Sequence, residues 1–396
     1  MSKAKMVLSF LRKGVKMILS YFYRFICDNT DLLVVDSFFP NPLSLFRYVE
    51  FDTYLHSFNA LVYTTGGDLG SFDDKNNIGF FIKQYAKKDN VKIFISERKI
   101  SAKLAVIVFL NNAYFFLPYL EKNKVPFIFS LYPGGGFWLK DNESDLKLMK
   151  VFNSPWFRKV IVTQNVTKNY LLDNQFCNKE DIEFIYGSPS NWEVQDCVIN
   201  MVKKRENESF NICFVAAKYS SKGIDKGYDI FIEVARKLSQ LSDKFKFHVV
   251  GGFSGKDIDI SDLSKHLKFY GYLPLDELRK LYLKQDIIIS PNRTNILARG
   301  AFDGFPTGAV VEAGLCGVVM FVTDELNQNT ILSNSIDFIL INHDPDFIVS
   351  KVMELFSDYD RLYKISQAGS AVLRKVFSNE YQMTPRLKLM AKYLNN

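Results

Sequence analysis

The chain has 396 residues, 47% of them hydrophobic and 23% charged, a balance that suits two globular domains or one large one. Its net charge of +7 favours acidic partners, a nucleotide phosphate or an anionic membrane surface, but the charge is spread along the chain without a polybasic block. That spread, with no zinc-finger spacing and no RNA-binding aromatic motif, argues against a nucleic-acid partner. Five cysteines (Cys27, Cys177, Cys197, Cys213 and Cys316) contain no C-x-x-C pair, which argues against a disulfide framework or a structural zinc and for reduced thiols in a cytosolic protein.

Residues 1–30 form a basic, apolar segment in which Lys3, Lys5, Arg12, Lys13, Lys16 and Arg24 interrupt the hydrophobic run. The interruptions leave neither a signal peptide nor a membrane span. The remaining form is a basic amphipathic helix. Two roles stay open for it, docking on an anionic leaflet or packing on the first domain.

From residue 31 the pattern becomes strand alternating with helix. Apolar runs at 32–39, 60–66, 92–96, 105–110, 126–132, 159–164 and 182–187 read as buried strands, with helices across 43–58 and 113–122. The stretch 188–210 is turn-like and then charged, and marks a domain boundary. The rhythm restarts with strands at 211–217, 245–252, 266–273, 286–290, 318–324 and 337–341. Helices are expected at 226–241, near 275–284, from 308, and over most of 346–396. This predicts an α/β protein with a domain at 31–205, a second at 206–375, and a C-terminal helix at 376–396 placed to cross back to the first domain. Two facing Rossmann-like domains with a cleft between them follow.

The most informative segment is AFDGFPTGAVVEAGLCGVVMF, 301–321. Asp303 and Gly304 make a turn that Pro306 stiffens, and Thr307 is placed to cap the next helix. The free N–H groups and positive end of that helix suit a diphosphate, with Gly308 allowing close approach. Glu312, more than a turn further on, is placed for ribose hydroxyls instead. A helix docked on a sheet with incidental acids would also account for this segment taken alone. Its position after the strand at 286–290 matters more, because open α/β sheets bind ligands beyond the carboxyl ends of their strands. A second segment, 213–238, places Lys218 after a strand and Lys226-Gly227 at a helix start. Two such cations can neutralise a diphosphate. Lys222, also before a glycine, is a competing candidate, and solvated surface lysine is the plain alternative for any one of them.

Taken in order, Lys218, Lys226-Gly227, FHVVGG, YGYLPLDEL, DIIISPN and DGFPTGAVVEA resemble the family 4 retaining glycosyltransferases of the GT-B fold, over residues 211–325. The resemblance implies that Lys218 and Lys226 bind the diphosphate of a nucleoside-diphosphate sugar, Glu312 the ribose and Asp303 the donor sugar. It further implies donor contacts from Gly227, Gly252, Tyr272, Leu273, Gly304, Phe305, Pro306, Thr307 and Gly308. It implies transfer with retention to a glycan or lipid-linked glycan, with no cofactor and no metal. The Asp-x-Asp runs at 257–259 and 358–360 read as turn or helix-surface acids. Two departures stand out: Asp303 precedes Glu312 by nine residues where the family has eight, and Lys218 replaces the commoner arginine, losing its bidentate fork.

The N-terminal half matches less closely. Its conspicuous loop is Gly134-Gly135-Gly136, expected to line the cleft beside donor sugar or acceptor, with a tight turn as the alternative. No histidine follows that strand, so no catalytic base is named. A front-face mechanism, in which the departing phosphate takes the acceptor proton, would need none. The expected location is cytoplasmic, peripheral on the inner face of the membrane if the first 30 residues dock there. Competing readings are a sugar-nucleotide epimerase of the same fold and a non-catalytic partner subunit.

Overall fold

Two runs of β-branched and aromatic strands, each followed by a helix, build two separate parallel sheets in the computed structural model. It describes residues 25–41, 44–66, 78–190 and 209–395. Most of the basic N-terminal segment, and most of the boundary expected at 188–210, lie outside the described residues.

The first sheet has the order β3-β2-β1-β4-β5-β6-β7, with β1 Cys27–Asp36, β2 Ala60–Thr64, β3 Val91–Ile93, β4 Lys99–Val108, β5 Phe127–Leu131, β6 Phe157–Val162 and β7 Ile182–Phe184. The helices are α1 Leu45–Ser57, α2 Ile78–Gln84, α3 Leu110–Lys122, α4 Asn142–Phe152 and α5 Asn165–Asp173. Both faces are covered, which is why β1 reads as an unbroken apolar run. Leu33 and Val35 point into one core with Phe116 and Phe127, whereas Leu32 and Val34 point into another with Phe51 and Tyr54. Strands β1 and β4 start earlier than their apolar runs. Residues 27–30 pair with 99–102, and Lys92 and Arg98 converge on Asp28 at 2.7 and 3.3 Å, so ion pairing extends the ladder past the core.

The second sheet has the order β10-β9-β8-β11-β12-β13, with β8 Phe210–Val215, β9 Phe245–Val250, β10 Leu267–Phe269, β11 Ile287–Ser290, β12 Val319–Val322 and β13 Ile339–Leu340. Its helices are α6 Tyr228–Leu241, α7 Leu275–Tyr282, α8 Gly308–Leu315, α9 Pro345–Ser357 and α10 Tyr359–Val376. One core lies under α6 and α9, and the other under α8 and α10. In both sheets the strand order reverses once, between β1 and β4 and between β8 and β11. Each reversal opens a crevice beyond the strand ends.

The last helix, α11 Asn379–Leu394, leaves the second domain and lays Met383, Leu389, Met390 and Leu394 into the core of the first. It carries Arg386, which is fully buried. The guanidinium lies 3.8 Å from Glu50 on α1 and donates to the Tyr132 hydroxyl at 3.1 Å and to the Gln382 carbonyl at 2.6 Å. Burial pushes the Glu50 carboxyl up, against the pull of Arg386 and the hydroxyls of Tyr54 and Tyr132. Gln382 in turn donates to the Tyr186 carbonyl at 2.7 Å. Among the described residues no helix is long and apolar enough to cross a membrane.

Removing one partner from a buried charged network leaves the other unpaired, so Arg386→Met should destabilise the chain by about 3–5 kcal/mol. A lowered denaturant midpoint reads this, and the double variant Glu50→Gln/Arg386→Met should recover part of the loss.

Candidate functional site

The crevice of the second sheet is framed by the loops after β8 and β11. The β8 loop carries Lys218, then a 3-10 turn, Ser221–Lys226, and then α6. The helix therefore starts at Tyr228 and not at Lys226. Gly227 joins turn to helix with φ +70°, and a Cβ there would stand 2.2 Å from the Pro291 carbonyl oxygen. Only glycine lets the chain turn so close against the end of β11. The turn leaves Lys222 exposed and buries Lys226, so burial separates the two candidates.

Lys226 is 6% exposed. Its ammonium donates to both oxygens of Asp303, at 2.8 and 2.7 Å, and lies 5.1 Å from the Tyr219 ring. Burial alone would pull its pKa down, but the Asp303 carboxylate more than offsets this and holds it above the ordinary value. Asp303 is fixed in turn. The Asn292 amide donates to its Oδ2 at 2.6 Å, and Gln328 donates to its carbonyl at 2.9 Å. Asn292 accepts from the Ser290 hydroxyl at 2.9 Å, and its carbonyl accepts from Thr323 at 2.8 Å. The extra residue between Asp303 and Glu312 thus does not carry Asp303 away from Lys226.

Lys218 forms an ion pair with Asp257, in the loop after β9. Asp257 also accepts the Ser254 N–H at 2.9 Å. Burial works against its ionised form, yet the bonds from Lys218 and Ser254 win and hold the carboxyl below its ordinary value. The surface-turn reading of residues 257–259 misses this pairing. The second Asp-x-Asp behaves as a helix start, with Asp358 capping α10 through Arg361 N–H at 3.0 Å. Beside Asp257, a Cβ on Gly252 would lie 3.1 Å from the Tyr272 hydroxyl, so Gly252 and Tyr272 meet beyond the ends of β9 and β10, with Leu273 next in the chain.

The loop 301–307 runs to the start of α8. Thr307 occupies the cap position, but its side chain makes no capping hydrogen bond, which corrects the expectation. Gly308 is exposed, and a Cβ there would meet nothing within 4 Å, so the helix N-terminus faces open space. Glu312 lies one turn on, half-buried, and its carboxyl makes no hydrogen bond among the described residues. Burial pushes its pKa from 4.5 to about 8.

The first domain holds this loop in place. Phe305 is buried, and its carbonyl accepts from Tyr186 Oη at 2.7 Å and Gln164 Nε2 at 3.2 Å. The Leu139 N–H donates to the Gly300 carbonyl at 2.9 Å, and Phe137 packs against Phe302 with centroids 5.9 Å apart. The triple-glycine loop lies on the same side. Pro133 is 3.5 Å from where a Gly304 Cβ would stand. Gly134, Gly135 and Gly136 all have positive φ. Cβ atoms on Gly135 and Gly136 would fall 2.3 Å from Phe109 and 2.0 Å from Asn111. The loop is both a tight turn, with Phe137 N–H donating to Gly134 O at 3.0 Å, and a neighbour of the Asp303–Pro306 segment. Among the described residues no group of three or more His, Cys, Asp or Glu is placed to hold a metal ion.

Residues 199–372 match the family model of the glycosyl transferases group 1. No curated protein sequence matches the chain. Solved structures resemble it along nearly its whole length. HepE of Anabaena, solved with UDP-glucose, has 14% identity and a TM-score of 0.65, covering 92% of this chain and 99% of that one. A glycosyltransferase from Rickettsia africae has 17% identity and a TM-score of 0.62, covering 93% and 99%. Sucrose-phosphate synthase of Thermosynechococcus elongatus has 11% identity and a TM-score of 0.63, covering 92% and 99%. The architecture is that of the GT-B fold, two Rossmann-like domains facing one another.

The raised pKa of Glu312 fixes a sign. The folded state holds a proton that the unfolded state releases at about 4.5. The stability tied to that proton is complete below 4.5 and is lost as pH rises through about 8. Glu312→Gln does not titrate, so it should melt with wild type near pH 5 and above it near pH 8.5. Thermal melts across that range measure the gap. A gap that stays constant with pH contradicts the assignment.

Proposed function

We propose that the chain is a retaining glycosyltransferase that moves a sugar from a nucleoside-diphosphate sugar to a glycan or lipid-linked glycan. The observation that carries this is the convergence of a buried lysine, a carboxylate fixed against it and an exposed helix N-terminus at the chain reversal of the second sheet. The match of residues 199–372 to the glycosyl transferases group 1 adds to it, as does the UDP-glucose bound in HepE.

On this reading Lys218, Lys226 and the N–H groups at Gly308 neutralise the donor diphosphate. Gly227 and Gly304 let the backbone come close. Glu312 accepts from the ribose hydroxyls, which supply the donors its carboxyl lacks. Asp303 takes the donor-sugar hydroxyls, with Phe305 and Pro306 shaping the loop, and Gly252, Tyr272 and Leu273 bound the nucleoside. Gly134, Gly135 and Gly136 border the sugar from the opposite domain. As the glycosidic bond to phosphate breaks, the developing negative charge falls on oxygens beside the two ammonium groups. The departing phosphate then takes the acceptor proton. Charge neutralisation rests on lysines and helix amides, without a metal. The basic segment at the N-terminus brings the chain to an anionic inner leaflet, where a lipid-linked acceptor resides.

A thermal-shift screen with UDP-, GDP- and ADP-sugars should show stabilisation by one of them. If none stabilises the chain, the enzyme reading fails. Lys226→Ala and Glu312→Ala should each lower kcat/KM on the order of 10²- to 10³-fold with unchanged circular dichroism, and full activity in either would refute these roles. The anomeric configuration of the product, read by NMR, tests retention. Deleting residues 1–24 should abolish co-sedimentation with phosphatidylserine vesicles while leaving nucleotide binding intact.

A further inference from the structure

The two site lysines are held in different ways. Lys226 is enclosed, and its partner Asp303 is locked by Asn292 and Gln328. Lys218 is about a quarter exposed, and its partner sits on a separate loop. Asp257 divides its two oxygens, with Oδ2 accepting the Ser254 N–H at 2.9 Å and hydroxyl at 3.3 Å, and Oδ1 accepting Lys218. The turn therefore persists if Oδ1 gives up its lysine. Lys218 and Lys226 face three carboxylates, Asp257, Asp303 and Asp225 (3.9 Å from Lys226), so a diphosphate entering here meets cations that are already neutralised. With Asp303 fixed, the pair free to exchange is Lys218–Asp257.

We infer that Asp257 sets the affinity for the nucleotide, competing with the diphosphate for Lys218 and reclaiming that lysine as the nucleoside-diphosphate product leaves. This rests on the donor site proposed above. Entry of the diphosphate swaps one anion for another at the Lys218 ammonium, and no covalent bond changes. Departure is eased because Lys218 never has to stand unpaired in a partly desolvated crevice. The cost falls on binding strength, since the displaced carboxylate stays close to the phosphates and repels them. Product release limits turnover in many enzymes, and a built-in competitor acts on that step.

The test is calorimetric titration of the full chain with UDP, or with GDP or ADP if the wild type selects one of those. Asp257→Asn retains an acceptor for Ser254 and removes the charge. It should tighten nucleotide binding roughly three- to tenfold and slow dissociation, followed by stopped flow, by a similar factor. Asp259→Asn, an exposed carboxylate two residues on, should change affinity less than about twofold. In a Lys218→Met background Asp257→Asn should give a clearly smaller gain, because only the direct repulsion of the phosphates is then relieved. Unchanged or weaker binding by Asp257→Asn overturns the inference, as does an equal gain in Asp259→Asn or in the Lys218→Met background. Asp257→Ser serves in place of the asparagine variant if the latter melts below wild type. A wild-type chain that binds no nucleoside diphosphate overturns the underlying donor-site reading and this inference with it.

Discussion

A lysine that is 6% exposed tolerates burial only against a fixed counter-charge, and Lys226 has one in Asp303. Much of the site follows from that pairing. Lys226 reaches the crevice because Gly227 turns in the left-handed region against Pro291, where a Cβ would strike the main chain. Asp303 meets it because Asn292, just beyond β11, holds one carboxylate oxygen, while Gln328 holds the loop's main chain. Thr323 and His343 anchor the Asn292 carbonyl at 2.8 and 3.0 Å. The ion pair thereby ties the ends of β8, β11 and β12 into one polar floor. Breaking it without a replacement counter-charge would strand an ammonium inside protein.

The fold was legible because its signals are local. Apolar runs such as LLVV and DIIIS, bounded by turn residues and rich in β-branched side chains, read as strands covered on both faces, and their alternation with helices implies parallel sheets. The Asp303–Glu312 loop was legible for a similar reason: its turn residues and helix start are contiguous. The sequence is less explicit where structure depends on distant pairing. Asp257 looks like a turn acid because its partner, Lys218, lies 39 positions away. Asn292 and Gln328 carry no motif, since an amide becomes a support only when folding places a carboxylate beside it. Among the first-domain helices absent from the sequence reading (α2, α4 and α5), α4 carries a local signal in DNES, where Asp141 caps it by accepting the Ser144 N–H at 2.8 Å. Thr307 shows the opposite error, a residue of the right type at the cap position whose hydroxyl makes no capping bond.

Neither domain is independent of the other. The Phe305 carbonyl of the second domain is held by Gln164 and Tyr186 of the first. Tyr186 is also tied through its own carbonyl to Gln382 on α11, and Gln382 accepts from Arg386, which reaches Tyr132 and lies 3.8 Å from Glu50. A continuous polar chain thus runs from α1, through the crossing helix, to the loop that bears Asp303. Buried networks of this kind confer geometry more than stability, because desolvation consumes most of the Coulombic gain. Here the geometry conferred is the placement of the Asp303–Thr307 segment opposite Pro133 and the triple-glycine loop.

Glu312 completes the contrast with Lys226. Both are ionisable groups in a low-dielectric crevice, but Lys226 is satisfied by protein and Glu312 is not. Burial therefore shifts Glu312 to about 8, where an ordinary glutamate would be fully ionised at neutral pH. On the proposed reading, two ribose hydroxyls would stabilise the ionised form and draw the pKa down, so that donor binding between about pH 6 and 8 releases a proton. The same crevice, on the proposed donor-site reading, holds a lysine that exchanges its partner and a glutamate that gains ribose donors, and a single nucleoside diphosphate supplies both.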